Sequence, residues 1–301
     1  MRINRTNLVA GLFAASGTTF LAPAAMAQNS GIGAKGELFG GIARDERPLA
    51  DSRDAFSGGV LPSVTFGLGS SATVQVDGMA ARHIGDTVIA AAGHVGVMPT
   101  PGISIGVYGA YAHFDGLGGL DNYRIGGEGS YHGARISLSA VVGYEHSQRR
   151  FIAAGTIPGF TVIDDYGRGG SFFSMADISL YPDENWSLTA GHRYIGRQHA
   201  AALGTEKHFA GSPVSLFAEG RIGDNGYTAA WAGLRIRFGG GGGTSLQASD
   251  QGSGYANRLK DELFTITNTR RRGQEAIVAP PAPPVPGGNG CACGGSYCGQ
   301  T

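Results

Sequence analysis

The strict alternation of residues in 228–238 (TAAWAGLRIRF) constrains the fold of the chain more than any other feature. In an extended chain Leu234 and Ile236 lie on one face, and Arg235 and Arg237 lie on the other. A period of two with one apolar face indicates a β-strand. A soluble sheet would bury the apolar face in a core, whereas a membrane barrel would turn it to lipid and place the arginines in its lumen.

The same alternation recurs in segments of about ten residues, typical of a barrel or sandwich. In residues 135–145, for example, Ile136 and Leu138 oppose Ser137 and Glu145. Short turns join most segments, so we predict antiparallel pairing of consecutive strands. The predicted strands are 34–43, 60–67, 72–82, 86–97, 102–114, 121–131, 134–146, 171–181, 186–197, 213–222 and 226–238.

The number of predicted strands is odd, whereas bacterial barrels have an even number. We therefore expect a total of about ten to twelve strands, and the segment FTVIDD at 160–165 is the candidate for a further one. Three gaps between the predicted strands are long, at 44–59, 147–170 and 198–212.

The polar faces of neighbouring predicted strands stay in phase. A two-residue turn at 132–133 places Glu128 opposite Ser137, and a three-residue loop at 224–226 places Glu219 opposite Trp231. The shared polar face is the solvent face in a sandwich and the lumen wall in a barrel. Arginine outnumbers lysine on this face, which suits bidentate pairing with carboxylates in a confined space. The predicted lumen residues are Asp77, Arg124, Glu128, Arg135, Glu145, Asp177, Arg193, Glu219, Arg221, Arg235 and Arg237.

The first 27 residues have the pattern of a secretory signal peptide. Arg2 and Arg5 precede an apolar run that ends in Ala25-Met26-Ala27, an A-x-A cleavage site. We predict cleavage after Ala27, and an N-terminal membrane anchor is the alternative. Beyond this segment no run of ~18 apolar residues predicts a transmembrane helix.

The signal peptide, the alternating strands and the final AGLRIRF together resemble the porin-like β-barrel proteins of Gram-negative outer membranes. SVTFGLG and GVYGAYAHF share this likeness, which covers residues 34–238. The resemblance implies that Leu234, Ile236 and Phe238 form the terminal signal read by the outer-membrane assembly machinery. It also implies a location in the cell outer membrane, in contact with lipid. Barrels of this class commonly end at that signal, whereas this chain continues to residue 301.

The residues after Phe238 predict a disordered C-terminal extension at 239–301, separate from a barrel domain at 28–238. Five glycines begin it, and the proline-rich APPAPPVPGG follows the basic cluster 270–272. If Phe238 lies at the periplasmic end, the extension is periplasmic, but the long gaps then face inward, contrary to the usual barrel. A cell-wall or surface partner for the extension is not identifiable. Three cysteines complete it, at positions 291, 293 and 298; they allow one disulfide and one free thiol, or an intermolecular pair, and a metal site would lack a fourth ligand.

No pattern in the chain predicts catalysis or cofactor binding. Adjacent His146 and Ser147 point to opposite faces of a strand, and the other histidines form no metal-binding motif. The formal net charge is zero, so no nucleic-acid partner is expected. We therefore predict a non-enzymatic outer-membrane β-barrel, a narrow passive pore or structural barrel. A soluble exported β-sandwich that binds a partner is the alternative, and an outer-membrane enzyme of the lipase or deacylase type is third.

Overall fold

The computed structural model describes residues 31–47, 50–68, 72–115, 119–149, 154–157, 160–163, 169–239, 245–252 and 255–265. The predicted signal peptide at 1–27, the basic cluster 270–272 and the three cysteines lie outside these residues. The described strands are β1 (Ile32–Arg47), β2 (Ala50–Leu68), β3 (Ala72–His83), β4 (Asp86–Thr100), β5 (Ile103–Phe114), β6 (Leu120–His132), β7 (Ile136–Arg149), β8 (Ala154–Ile157), β9 (Phe160–Ile163), β10 (Gly169–Asp183), β11 (Trp186–Ile195), β12 (Gln198–His208), β13 (Val214–Gly223) and β14 (Thr228–Gly239).

Twelve of these strands form one closed antiparallel barrel. Each strand pairs with its neighbour in sequence, except that β7 pairs directly with β10. The barrel closes where β1 pairs with β14, with Gly33 opposite Gly239 and Arg44 opposite Thr228. Strands β8 and β9 form a separate two-stranded sheet within the β7–β10 connection. Closure into a single barrel confirms the predicted fold class and is incompatible with the β-sandwich alternative.

All eleven predicted strands are present in the barrel, and β12 is the strand that the alternation did not predict. It lies in the gap 198–212, whereas the candidate segment 160–165 overlaps β9 instead. Alanine explains the omission, because Ala200 and Ala202 face inward while Ala201 faces outward. Small apolar residues on both faces leave little contrast between them.

The missing strand also reverses the assignment of the barrel ends. Ile32 and Gly239 lie at one end, which we call the terminal end, and the long β7–β10 connection lies at the opposite end, the loop end. The long gap 147–170 and Phe238 are therefore on opposite sides of the barrel. Omitting one strand inverts the direction of every strand before it, which produced the conflict with the usual arrangement of short turns and long loops.

The two faces of the wall differ as the alternation predicts. Ile42 and Ile125 on the outer face are 62% and 63% exposed, and Leu234 is also exposed. Trp231 and Arg237 on the inner face are buried. The packed core of this protein is therefore the lumen.

Two short helical elements follow β14 in the described residues: α1 (Leu246–Gly252) and a 3-10 turn at Leu259–Asp261 that continues as a helical turn to residue 265. A further 3-10 turn, Asp224–Gly226, connects β13 to β14. No helix in the described ranges is long and apolar enough to span a membrane.

Candidate functional site

The lumen contains the chain's own C-terminal segment. We call the described residues 245–252 and 255–265 the plug. Leu246, Leu259 and Leu263 are completely buried, and Phe264 is 1% exposed. The described residues 245–252 and 255–265 thus pack inside the barrel, within the stretch 239–301 for which the sequence predicts a disordered extension. The glycine run suggested a linker, but the segment after it has enough apolar side chains to pack against the inner wall.

The plug crosses the lumen from the terminal end toward the loop end. In α1, the Gln247 N–H donates to the carbonyl of Glu184 (2.9 Å) and the Gln251 amide to the carbonyl of Gly133 (2.9 Å), both in terminal-end turns. At the other extreme the ring of Phe264 lies 4.9 Å from that of Tyr227, which precedes β14 at the loop end. The described plug residues thus extend along most of the lumen.

The plug's cations meet carboxylates of the wall. The Lys260 ammonium lies 2.5 Å from Glu37 Oε1 and 2.6 Å from Glu219 Oε1, and 4.4 Å from the centre of the Phe217 ring. Arg258 pairs with Asp177 and is buried. These contacts neutralise charges that would be costly to bury alone.

The plug's acids meet arginines of the wall one step farther along. Asp261 accepts from Nε of Arg193 (2.8 Å) and from Nε of Arg221 (3.1 Å). Glu262 pairs with Arg124 and accepts a hydrogen bond of 2.8 Å from Asn122. The order of charges along the plug therefore matches the order of opposite charges along the wall.

The wall also fits the plug by shape. The Tyr255 ring stacks on the His94 ring, with 5.4 Å between the ring centres. The backbone N–H of Tyr255 donates to Gln75 Oε1 at 3.0 Å. A Cβ at Gly96 would clash with the Tyr255 hydroxyl, and a Cβ at Gly223 would lie 2.8 Å from the Phe264 ring. Glycine at these two inward positions leaves the space that the two aromatic side chains fill.

A network of wall residues surrounds a small cavity that the plug leaves open. Arg235 pairs with Glu37 (2.5 Å) and with Glu206, and Glu206 also pairs with Arg237 (2.5 Å). The cavity has a volume of about 220 Å³ and is lined by these four side chains, by Lys35 and by plug residues. A cavity of this size has room for several water molecules.

Most of the predicted lumen residues do line the lumen. Arg135 is the exception, since it is exposed in the turn before β7. The prediction included it because the alternation of the sequence continues in phase beyond the end of the strand. The prediction missed Glu206, which lies on the unrecognised β12, and all the plug residues. The inward-facing predicted residues are Asp77, Arg124, Glu128, Glu145, Asp177, Arg193, Glu219, Arg221, Arg235 and Arg237.

The predicted assembly signal lies on the outer face of the last barrel strand. Leu234 is exposed, Ile236 and Phe238 are partly buried, and β14 ends one residue later. Its recognition by assembly machinery stays a prediction.

His146 and Ser147 do not form a pair in the structure. His146 is exposed on the outer face, whereas Ser147 faces inward and donates to Asn122 Oδ1 at 3.0 Å. Within the described ranges no group of three or more His, Cys, Asp or Glu side chains is placed to hold a metal ion.

No family model and no curated protein matches the sequence. Among solved structures, the chain is similar to the translocator domain of the autotransporter NalP from Neisseria meningitidis, with 10% identity and a TM-score of 0.51 over 76% of this chain and 97% of that one. The chain also matches the toluene transporter TbuX of Ralstonia pickettii, with 9% identity and a TM-score of 0.43 over 70% of this chain and 90% of that one. It matches the KdgM porin in complex with disordered oligogalacturonate as well, with 7% identity and a TM-score of 0.41 over 66% of this chain and 98% of that one. The likeness to the NalP translocator domain, together with the closed twelve-stranded barrel, shows that the chain has the fold of the outer-membrane β-barrels.

Proposed function

We propose that this protein is an outer-membrane β-barrel whose lumen is kept closed by its own C-terminal segment. In this state it is a structural barrel, or at most a very narrow pore. The observation that supports closure is the set of buried ion pairs between the plug and the wall, above all those of Lys260 and Asp261.

The outer face supports a membrane location. Large apolar side chains are exposed all around the barrel, whereas soluble monomers rarely expose a continuous apolar patch above a few hundred Å². Lipid is thus the expected partner of this face. The predicted signal peptide accounts for export, and the outer face of β14 for recognition during assembly.

The energetics favour the closed state over an open pore. Removing the plug would expose Arg193 and Arg221 on one level and Glu37 and Glu219 on another, each without a plug partner. Breaking a buried pair by removing one member costs ~3–5 kcal/mol, because the remaining charge is uncompensated. Water entering an open lumen would offset part of this cost, so the closed state is favoured but not locked.

Closure restricts the solutes that can pass. The space beside the plug is about 220 Å³ and is lined by both acidic and basic side chains. Water and small ions fit such a space. We propose no catalytic step: the closest serine–histidine contact of the described residues, Ser57 Oγ to His83 Nδ1 at 2.7 Å, is completely buried.

Ion conductance in planar lipid bilayers tests the proposal. A chain that ends after Gly243 lacks the plug, and a matched chain that ends after Asn268 keeps it while lacking the residues beyond. We expect large, stable conductance from the first chain only, with little from the second chain and from the full-length protein. Equal conductance from all three chains would refute closure by the plug.

A further inference from the structure

The seam between β1 and β14, where the barrel closes, carries two like charges side by side. Lys35 lies directly opposite Arg237 near the terminal end of this seam. Both side chains line the cavity beside the plug. Like charges directly opposite each other on antiparallel strands are destabilising, because their Cβ atoms lie only about 4.5–5.5 Å apart. A bound group of opposite charge would therefore stabilise the seam.

Lys35 differs from the other cations that line the cavity, because each of the others forms an ion pair with at least one carboxylate. These paired cations are Arg193, Arg221, Arg235, Arg237, Arg258 and Lys260. Within the described ranges no carboxylate oxygen lies within 4.0 Å of the Lys35 ammonium. Glu128, which also lines the cavity, is engaged by His94 at 2.9 Å. The described part of the chain thus supplies no direct counter-ion for Lys35.

Two further side chains of the cavity have a hydrogen-bond donor without an acceptor. The Nε–H of Arg237 and the amide nitrogen of Asn257 are buried, and neither donates to an acceptor within the part of the chain that the structure describes. The terminal nitrogens of Arg237 are occupied, since they donate to Glu206 and Asp250. The groups left over in the cavity wall are therefore donors, and one of them carries an uncompensated positive charge.

We propose that this cavity is a binding site for a small oxyanion of the charge and size of inorganic phosphate. The Lys35 ammonium and the Nε–H of Arg237 hold the anion at the seam, and the Asn257 amide is a further donor. Several acceptor oxygens and a negative charge match such a set of groups, because hydrogen bonds between ionised partners are the strong ones. The site rests on the closed lumen of the proposed function, since Asn257 belongs to the plug.

Equilibrium dialysis of radiolabelled phosphate with the full-length protein in detergent tests the site. Sodium chloride keeps the ionic strength constant, so that general screening of charges does not change during the titration. Lys35→Gln removes the charge, and Lys35→Arg keeps it. Lys207→Gln is the matched control, because Lys207 is exposed and pairs with Asp183 outside the cavity.

We expect saturable binding of phosphate to the unsubstituted protein, and similar affinity in Lys35→Arg and Lys207→Gln. Lys35→Gln should weaken the affinity at least about tenfold, the equivalent of losing one hydrogen bond to a charged group. No saturable binding above the chloride background would overturn the proposal, since the donors would then bind water only. Equal binding by Lys35→Gln and the unsubstituted protein would overturn it as well.

The temperature at which the barrel unfolds, followed by gel mobility, gives a second readout that a merely structural lysine would not move. Without phosphate, Lys35→Gln should unfold at no lower temperature than the unsubstituted protein, because it removes the repulsion with Arg237. With saturating phosphate the unsubstituted protein should unfold at the higher temperature, because the ligand stabilises only the folded state that binds it. The same order in both conditions would contradict an anion at Lys35. Such a failure would leave closure intact, because the conductance of the truncated chains measures closure without phosphate.

Discussion

Replacing Asp261 by asparagine removes a carboxylate that two buried arginines share while preserving its shape. Arg193 and Arg221 each lose one ion pair, of 2.8 and 3.1 Å, but each keeps a carboxylate of the wall, Asp177 and Glu219 respectively. Full loss of a partner at a buried pair costs ~3–5 kcal/mol, so the retained partners place the expected cost near the lower limit, at about 3 kcal/mol.

That cost falls on the closed state, because only there does the plug contact the wall. At 1.4 kcal/mol per tenfold change, about 3 kcal/mol raises the ratio of open to closed lumen about a hundredfold. The ratio is measured from open and closed dwell times of single barrels in a planar bilayer. The altered mobility of unheated samples in gel electrophoresis confirms that the barrel itself remains folded.

Asp250→Asn is the matched control within the plug. The Asp250 carboxylate is 31% exposed and pairs with Arg237 at 3.0 Å, and partly solvated pairs are worth ~0–1 kcal/mol. Its substitution should change the ratio less than about fivefold, the equivalent of about 1 kcal/mol. If Asp261→Asn opens the lumen no more often than Asp250→Asn, the buried pairs of the plug do not hold the barrel closed.

Two further substitutions test the outer face and the fit of the plug. Val142→Arg, at the centre of β7 on the outer face, should destabilise the folded barrel by ~2–4 kcal/mol, measured by urea titration in lipid vesicles. Leu138→Arg, near the terminal end of the same strand, should cost only ~0–1 kcal/mol. Equal costs for the two substitutions would contradict a lipid-facing surface. Gly223→Ala places a Cβ 2.8 Å from the Phe264 ring and should weaken plug docking by ~1–3 kcal/mol. The effect is seen as a higher ratio of open to closed dwell times of single barrels. The Cβ added by Gly220→Ala on the same strand lies 3.6 Å from its nearest atom, so this substitution should leave the ratio of dwell times unchanged.

The barrel was largely predictable because its wall obeys a local rule. A strand between lipid and a polar lumen must alternate apolar and polar side chains, so the faces of Leu234 and Arg235 can be assigned without knowledge of the neighbouring strands. The rule failed at β12, where alanines occupy both faces, and at Arg135, where the alternation continues into a turn. One missed strand was enough to invert the inferred direction of the chain.

The plug was not predictable from such local patterns. Arg258, Lys260, Asp261 and Glu262 look like a solvated charged stretch in a polar tail. Their partners lie on strands far away in the sequence, so only the closed barrel brings the opposite charges to the same level. The sole local indication is the order of charges, two cations followed by two acids, and it has meaning only beside the wall.

Zero-length cross-linking tests the central claim, that the C-terminal segment occupies the lumen, most directly. A water-soluble carbodiimide joins a lysine and a carboxylate that are in contact, and the Lys260 ammonium lies 2.5 Å from Glu37 and 2.6 Å from Glu219. We expect mass spectrometry of the membrane-embedded full-length protein to find Lys260 joined to one of these residues, and Lys260→Gln to lack that peptide. The account would be contradicted if no such peptide formed and an amine-directed reagent modified Lys260 as readily in the folded protein as after unfolding.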